Sequence, residues 1–464
     1  MKHVHLIGIG GTGLSAIAKV LLERGYTVSG SDRVASPLFK AVTAAGARTF
    51  LGHAAEQIAG ADLVIRSSAI PENNPEVLAA KAQDIPVMKR AEFLDELIGE
   101  KDTLAVAGTH GKTTTTGMLI WMLDQLGTNP SFIAGGMVNQ LDCNARADIG
   151  QYFAIEADEY DSMFLGLSPK IAVITNIEHD HPDCFPTEAD YRRAFINFLK
   201  RVRKDGLALI CVDDPRAKML MEEMKNAGIR LLGYGTNTSA NYQARNISLL
   251  GGTPQFTFHY IDEEGNDHSL GEVQLHLPGQ HNVLNGTAAL AAIHQLGLPV
   301  EKAVTALSKF TGTGRRFEIL GEVEGITVID DYGHHPTEIA ATLAGTRTRF
   351  PEGRIWAVWQ PHTYSRTKTL EEDYLQAFDI ADKVLVLKIY AAREIDPGYS
   401  AEKIAKALPE EKALYIEDFE SVEHFMLKNL VTGDVVIFFS AGDATEISKA
   451  VFEGLEQKSK GGSG

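Results

Sequence analysis

The sequence predicts an α/β protein of three domains in succession, and three observations carry that prediction. The chain has 464 residues, too many for one hydrophobic core and about right for three domains. Short apolar runs alternate along it with longer segments of helical period, the pattern of parallel sheets covered by helices. Two of those runs lead straight into glycine-rich turns that open a helix, at Gly8–Gly13 and at Gly108–Thr113.

His3 to Ile9 reads as the first strand, and Gly8-Ile9-Gly10-Gly11-Thr12-Gly13 completes G-x-G-x-x-G before a helix that runs to Arg24. A second strand, Tyr26 to Gly30, ends in Ser31-Asp32, which puts an acid near the place expected for a ribose hydroxyl. The arrangement offers a helix N-terminus to a diphosphate, and a nucleotide sugar suits it as well as a dinucleotide. The strand Ala61 to Arg66 is followed by Ser67-Ser68-Ala69-Ile70-Pro71, a loop at the edge where such sheets bind ligands. Pro86 to Leu97, carrying Arg90-Ala91-Glu92, leads onward. Residues 1–98 are therefore expected to form a Rossmann-like domain. Its anion-contacting candidates are Gly8, Gly10, Gly11, Gly13, Ser31, Asp32 and Ser68.

The expected second domain, 99–313, is built on a phosphate cradle. Leu104-Ala105-Val106-Ala107 is a buried strand, Gly108-Thr109-His110-Gly111-Lys112-Thr113 the turn, and Thr114 to Leu126 the helix. Backbone N–H groups and the positive helix end face the anion, Lys112 adds a charge, and the Thr113 hydroxyl can ligate magnesium. Val106 stands where the usual first glycine of this P-loop-type pattern belongs. Two further strands, Tyr152 to Glu156 and Ile171 to Thr175, end in Glu156-Ala157-Asp158-Glu159-Tyr160-Asp161 and in Asn176-Ile177-Glu178-His179-Asp180-His181. Both polar clusters fall at the same sheet edge as the cradle. Thr113 and Glu156, with phosphate oxygens and water, suit magnesium; His181 is a further candidate ligand, and His179 reads as a loop residue. Tyr242 to Leu277 turns to short alternating strands with a hairpin near Glu264-Gly265-Asn266. Asn282 and Asn285 then stand at the start of an alanine-rich helix, equally suited to cap it or to read an adenine edge.

The third domain, 314–457, opens with Arg315-Arg316-Phe317, guanidiniums suited to a transferring phosphoryl group. Its strands, Ile326 to Ile329, Arg354 to Trp359, Lys383 to Leu387 and Asp434 to Phe439, again end in polar clusters. It has no phosphate-binding glycine pattern, so a smaller partner is expected there. Residues 458–464 read as a polar, disordered tail.

Composition removes other classes. A formal charge of −17 leaves no basic stripe for nucleic acid, although local Lys, Arg and N–H donors still suit small anions. Cys143, Cys184 and Cys211 are odd in number and widely spaced, which reads as reduced thiols in the cytoplasm. No apolar run is long enough for membrane insertion.

GTHGKTTTT, EADEYD, TNIEHDH, GQHNVLNGTAAL, GRRFE, DDYGHHPTE and QPHTYSRT follow one another along the chain, and in this order they resemble the Mur ligase family over nearly its whole length. Within that family, GIGGTGLSAIA and DDYGHHPTE resemble the branch that joins L-alanine to the carboxylate of UDP-N-acetylmuramate. The branch that attaches a whole murein tripeptide to the same sugar nucleotide is the alternative. The resemblance implies an ATP-dependent ligase of wall-precursor synthesis, acting through an acyl phosphate. Its three domains would be a Rossmann-like domain for the sugar nucleotide, a central P-loop-type ATPase domain and a C-terminal Rossmann-like domain for the amino acid.

It also implies roles. Gly108, Thr109, His110, Gly111, Lys112, Thr113 and Thr114 would hold ATP, with Asn285 at the adenine and Arg316 near the moving phosphate. Magnesium, or manganese in its place, would be held by Thr113, Glu156 and His181; Pro186 to Asn197 contains no lysine to carbamylate. His110 would also face the sugar nucleotide, and Tyr332, His334 and Arg366 the amino acid. Lys112, Arg316 and His334 are the expected catalytic residues, in a monomer or weak homodimer. A nicotinamide dehydrogenase would leave Gly108–Thr113 unused, and a simple switch ATPase would leave DDYGHHPTE unexplained.

Overall fold

The computed structural model describes residues 2–182, 184–392 and 394–461. Three α/β sheets follow one another along the chain. The first contains β1 (His3–Ile7), β2 (Thr27–Asp32), β3 (Arg48–Leu51), β4 (Leu63–Arg66) and β5 (Val87–Lys89), in the order β3-β2-β1-β4-β5. All its pairings are parallel. Its helices are α1 (Thr12–Glu23), α2 (Pro37–Ala44), α3 (Pro75–Ala82) and α4 (Arg90–Ile98). β1 stops at Ile7 rather than Ile9, because Gly8 takes φ +93 and the Gly8 and Ile9 N–H groups turn to the Ser31 carbonyl.

The second sheet has ten strands: β6 (Asp102–Ala107), β7 (Ser131–Val138), β8 (Cys143–Arg146), β9 (Tyr152–Glu156), β10 (Ile171–Ile174), β11 (Leu207–Cys211), β12 (Arg230–Gly235), β13 (Tyr242–Ser248), β14 (Gln255–Ile261) and β15 (Asp267–Gln274). Their order is β15-β14-β13-β12-β11-β10-β6-β9-β7-β8. β6 is thus flanked by β9 and β10, parallel to both. The chain leaves β6 in one direction and returns on its other side, which opens a crevice at the carboxyl ends. α5 (Lys112–Gln125) begins two residues earlier than its apolar period suggests and is buried along most of its length.

The third sheet consists of β16 (Glu318–Val323), β17 (Ile326–Asp331), β18 (Arg354–Gln360), β19 (Lys383–Val386), β20 (Ala413–Tyr415) and β21 (Asp434–Ser440), ordered β16-β17-β21-β18-β19-β20. Only the β16 edge is antiparallel. The closing helix spans Thr445–Gly461, so residues 458–461 continue it rather than starting a disordered tail; 462–464 lie outside the described residues.

By compactness the chain forms two units. One is Met1–Arg245 with Thr257–Val273 and Leu284–Phe310; the other is Asn246–Phe256 with Gln274–Val283 and Thr311–Gly464. In the first unit a single apolar cluster runs from Val4, Leu6 and Phe93 through Phe164 to Phe195 and Phe198. Among the described residues no helix is long and apolar enough to cross a membrane.

Candidate active site

The cradle at the end of β6 is shaped by two glycines whose positive φ would strain any other residue. Gly108 has φ +136, and a Cβ there would fall 2.0 Å from Thr175 Oγ1; Gly111 has φ +80, and its Cβ would meet Asn285 Oδ1 at 2.7 Å. Asn285 therefore lies against the turn that opens α5. No side chain caps α5, which leaves its positive end facing the crevice. The turn itself is tied to β10: Asn176 Oδ1 accepts from His110 N at 2.8 Å, and Asn176 Nδ2 and Thr175 Oγ1 donate to His110 O. The His110 ring meets the Glu178 carboxylate at 2.8 Å.

Lys112 donates to the Gly108 and Thr109 carbonyls and pairs with Glu159 at 3.0 Å. Burial works against its charge, but Glu159, Glu156 and Asp158 outweigh it and hold the Lys112 pKa above its usual value. The Glu159 carboxyl is raised, chiefly by burial, with Lys112 opposing the shift. Tyr191 on α6 (Glu188–Leu199) completes this buried group, with its hydroxyl 3.1 Å from Glu159 Oε1 and 2.9 Å from Thr109 Oγ1. Neither Glu159 nor Tyr191 is singled out by the sequence. Glu159 is one of four acids in EADEYD, and Tyr191 is an aromatic in an amphipathic helix.

The sheet order brings the two acid loops to either side of the cradle. Glu156 ends β9, where its Oε2 accepts from Gly135 N at 2.8 Å; a Cβ at Gly135 would fall 2.4 Å from that oxygen. His181, beyond β10, sits 3.8 Å from Glu159 Oε1 and edge-on to Tyr160. His181, Asp161 and Ser162 all adopt left-handed φ near +52 to +55, conformations that cost energy and cluster at functional loops. Thr113 at the start of α5, Glu156 at the end of β9 and His181 beyond β10 would together offer two oxygens and a nitrogen, a donor chemistry that suits magnesium. His179 differs from its neighbour: its ring bonds the Phe185 carbonyl at 2.7 Å and shapes the loop.

In the first sheet the switch point lies between β1 and β4, so the Gly8–Gly13 turn and the exposed Ser68 share one edge. Asp32 Oδ2 accepts from Gly10 N at 2.8 Å, and Oδ1 accepts from Arg33 N, so this acid orders the turn. Ser31 departs from expectation. It is fully buried and donates to Glu76 Oε2 at 2.7 Å, in a network with His53 and His5 beneath the sheet. The β pleat explains this, since neighbouring residues face opposite sides and Asp32 takes the side of the glycine turn.

In the second unit the carboxyl ends of β17, β18 and β21 converge. Arg315 and Arg316 place their guanidiniums 5.1 and 4.9 Å from the Tyr332 ring centre, and Arg316 lies 3.5 Å from Glu338. His334 Nδ1 faces the Tyr332 carbonyl at 3.1 Å, an acceptor that places a proton on Nδ1. Its ring is 5.5 Å from that of His362, whose Nδ1 meets Arg366 Nη1 at 2.9 Å. Tyr332, His334 and Arg366 are thus linked through His362, which the sequence reading passed over. Asp331 accepts from the N–H groups of Phe317 and Gly333, and burial pushes its carboxyl up to about 6.

Residues 3–102 match the Mur ligase family, catalytic domain; residues 106–293 match the Mur ligase middle domain, and 315–442 the Mur ligase, glutamate ligase domain. The UDP-N-acetylmuramate–L-alanine ligase of Geobacter sp. (strain M21) is 41% identical over 455 residues, covering 97% of each chain. The chain is a member of the Mur ligase family. The corresponding ligase of Desulfosudis oleivorans is also 41% identical, covering 98% of this Mur ligase and 99% of that chain. Among solved structures, the UDP-N-acetylmuramate-alanine ligase of Thermotoga maritima aligns with a TM-score of 0.84 at 27% identity, covering 99% of this chain and 100% of that one. A murein peptide ligase from Psychrobacter arcticus aligns at 0.73 and 25% identity, covering 98% and 99%.

Proposed function

We propose that this Mur ligase joins L-alanine to the carboxylate of UDP-N-acetylmuramate at the expense of ATP, in peptidoglycan precursor synthesis. The observation that carries this reading is end-to-end likeness, at 41% identity, to ligases of that specificity. The tripeptide-attaching alternative is less well supported, since the murein peptide ligase aligns with a lower TM-score than the alanine ligase.

The chemistry follows from the residues. A carboxylate is a poor electrophile, so a carboxylate oxygen first takes the γ-phosphoryl group of ATP, releasing ADP and leaving an acyl phosphate. The alanine nitrogen then attacks the acyl carbon, phosphate departs, and the nitrogen loses a proton. Lys112 and the first N–H groups of α5 offset charge on the phosphates, with Gly108 to Thr114 enclosing them and Asn285 against the turn. Magnesium held by Thr113, Glu156 and His181 would neutralise phosphate charge further. Arg316 serves the transferred phosphate. Tyr332 and Arg366 bind the amino acid, and the lone pair on His334 Nε2 takes the amine proton. The sugar nucleotide lies on the Gly8–Gly13 turn, with Asp32, Ser68 and His110 as further contacts. We place the enzyme in the cytoplasm, as a monomer or weak homodimer; its three free thiols suit a reducing compartment.

Phosphate release with UDP-N-acetylmuramate tests the reading, comparing L-alanine with glycine, L-serine and the murein tripeptide. L-Alanine is expected to be the preferred amine. Preference for the tripeptide would move the protein to the murein peptide ligases.

A further inference from the structure

The third glycine of G-x-G-x-x-G is ordinarily explained by close packing of helix on strand. Here Gly13 does something different. A Cβ at this position would fall 1.8 Å from Arg90 Nη1 and 2.9 Å from Arg90 Cζ, so any other residue here would push the guanidinium off the first turn of α1. That turn has no acidic residue and no side-chain cap, so Nη1 and the positive helix end meet there while the acids nearby, Asp32 on Gly10 N and Asp158 on the other arm of Arg90, are engaged elsewhere. The other arm of the guanidinium points elsewhere. Arg90 Nη2 lies 3.4 Å from Asp158 Oδ2, in the acid loop that also carries Glu156 and the Lys112 partner Glu159.

Arg90 is the first residue of α4, and the rest of that helix is locked to the same loop. Gly166 closes the 3-10 turn Tyr160–Gly166, and a Cβ on it would fall 1.9 Å from the Ala91 carbonyl oxygen. One turn further along α4, Asp95 pairs with Arg201 at 3.1 Å, and Ser168 donates to Asp95 at 3.2 Å. The acid loop and the sugar-nucleotide turn therefore share one rigid helix and one side chain.

We propose that Arg90 is a positioning residue that couples the two substrate sites of the first unit: Nη1 engages the sugar-nucleotide diphosphate at Gly13 while Nη2 holds Asp158 and, through it, the acid loop beside Lys112. The inference rests on the reading of the Gly8–Gly13 turn as the sugar-nucleotide site. A diphosphate there supplies a second anion on the Nη1 side and fixes the guanidinium, and a fixed guanidinium restrains Asp158. The strained residues Asp161 and Ser162 just beyond give the loop a reason to move when that restraint is absent. Because coupling between two binding sites is reciprocal, ATP and the sugar nucleotide each strengthen the binding of the other by the same factor.

The test is a binding cycle on the full-length protein. Dissociation constants for a non-hydrolysable ATP analogue with magnesium are measured with and without saturating UDP-N-acetylmuramate, in the wild type, in Arg90→Lys and in Asp158→Asn. The wild type is expected to show coupling of about fivefold or more, within the usual range for linked sites. Asp158→Asn keeps both single-ligand affinities within about twofold and brings the coupling factor close to one. Arg90→Lys, a point charge in place of a two-armed fork, weakens sugar-nucleotide binding and loses the coupling as well. Thermal melting of both variants checks folding, and Asp158, 37% exposed in its side chain, is the variant that leaves packing intact. Full coupling in Asp158→Asn, or none in the wild type, would overturn the inference. Failure of the wild type to bind UDP-N-acetylmuramate at all would instead overturn the functional reading beneath it.

Discussion

Lys112 has three N–H donors, and the protein already uses them on Gly108 O, Thr109 O and Glu159. A phosphate that engages Lys112 must displace at least one of these partners, and Glu159 then relies on Tyr191 for its remaining hydrogen bond. Lys112→Ala is expected to lower kcat/KM for ATP by roughly a hundredfold or more, measured as phosphate release, since it removes a charge aimed at the transferred group. Asp331 makes a second residue-level prediction. Burial raises its carboxyl from 3.8 to about 6, with Arg316 opposing the shift. Below pH 4 it is protonated in both folded and unfolded chains. Between about 4 and 6 only the folded form keeps the proton, so stability falls as pH rises through that window and levels off above it, by ~2–3 kcal/mol. Asp331→Asn should flatten that slope, read as the urea midpoint followed by tryptophan fluorescence. It should also cost stability at every pH, because an amide oxygen cannot accept from both Phe317 and Gly333 N–H while its nitrogen faces a donor.

At the scale of elements, glycine-to-alanine changes separate propensity from position. Inside a helix such a change ordinarily adds about 1 kcal/mol of stability. Gly13→Ala in α1 is instead expected to weaken UDP-N-acetylmuramate binding about tenfold, or ~1.4 kcal/mol, because its Cβ displaces Arg90; titration calorimetry would read it. The elements themselves were legible for a simple reason. β6, β9, β10, β17, β18 and β21 are short apolar runs bounded by glycine or polar clusters, and their hydrophobicity is local information. Their ends were less so. β1 stops two residues early where Gly8 turns under β2, and the last helix runs through the polar stretch 458–461, whose Lys458 bonds back to the Leu427 carbonyl. Polar composition alone gives no sign that a segment will continue a docked helix.

At the scale of the molecule, the two compact units divide the work. The Gly108–Thr113 cradle and the Gly8–Gly13 turn lie in the first, and Tyr332, His334 and Arg366 in the second. Unfolding is expected in more than one step. A non-hydrolysable ATP analogue and UDP-N-acetylmuramate should raise the transition of the first unit, each by about 2.7 kcal/mol at a hundred times its dissociation constant. L-Alanine should act on the second, and scanning calorimetry would separate them. The sequence by itself determined the phosphate cradle, the three α/β domains and the family, because a glycine turn, a lysine and a helix start lie within a few residues of one another. It could not rank the acids of EADEYD, link His334 to Arg366 through His362, or show that Ser31 is buried against Glu76. Nor could it show that Gly13 makes room for Arg90. Those relations join residues tens of positions apart and depend on sheet order and pleat, and only the packed chain puts them within hydrogen-bonding distance.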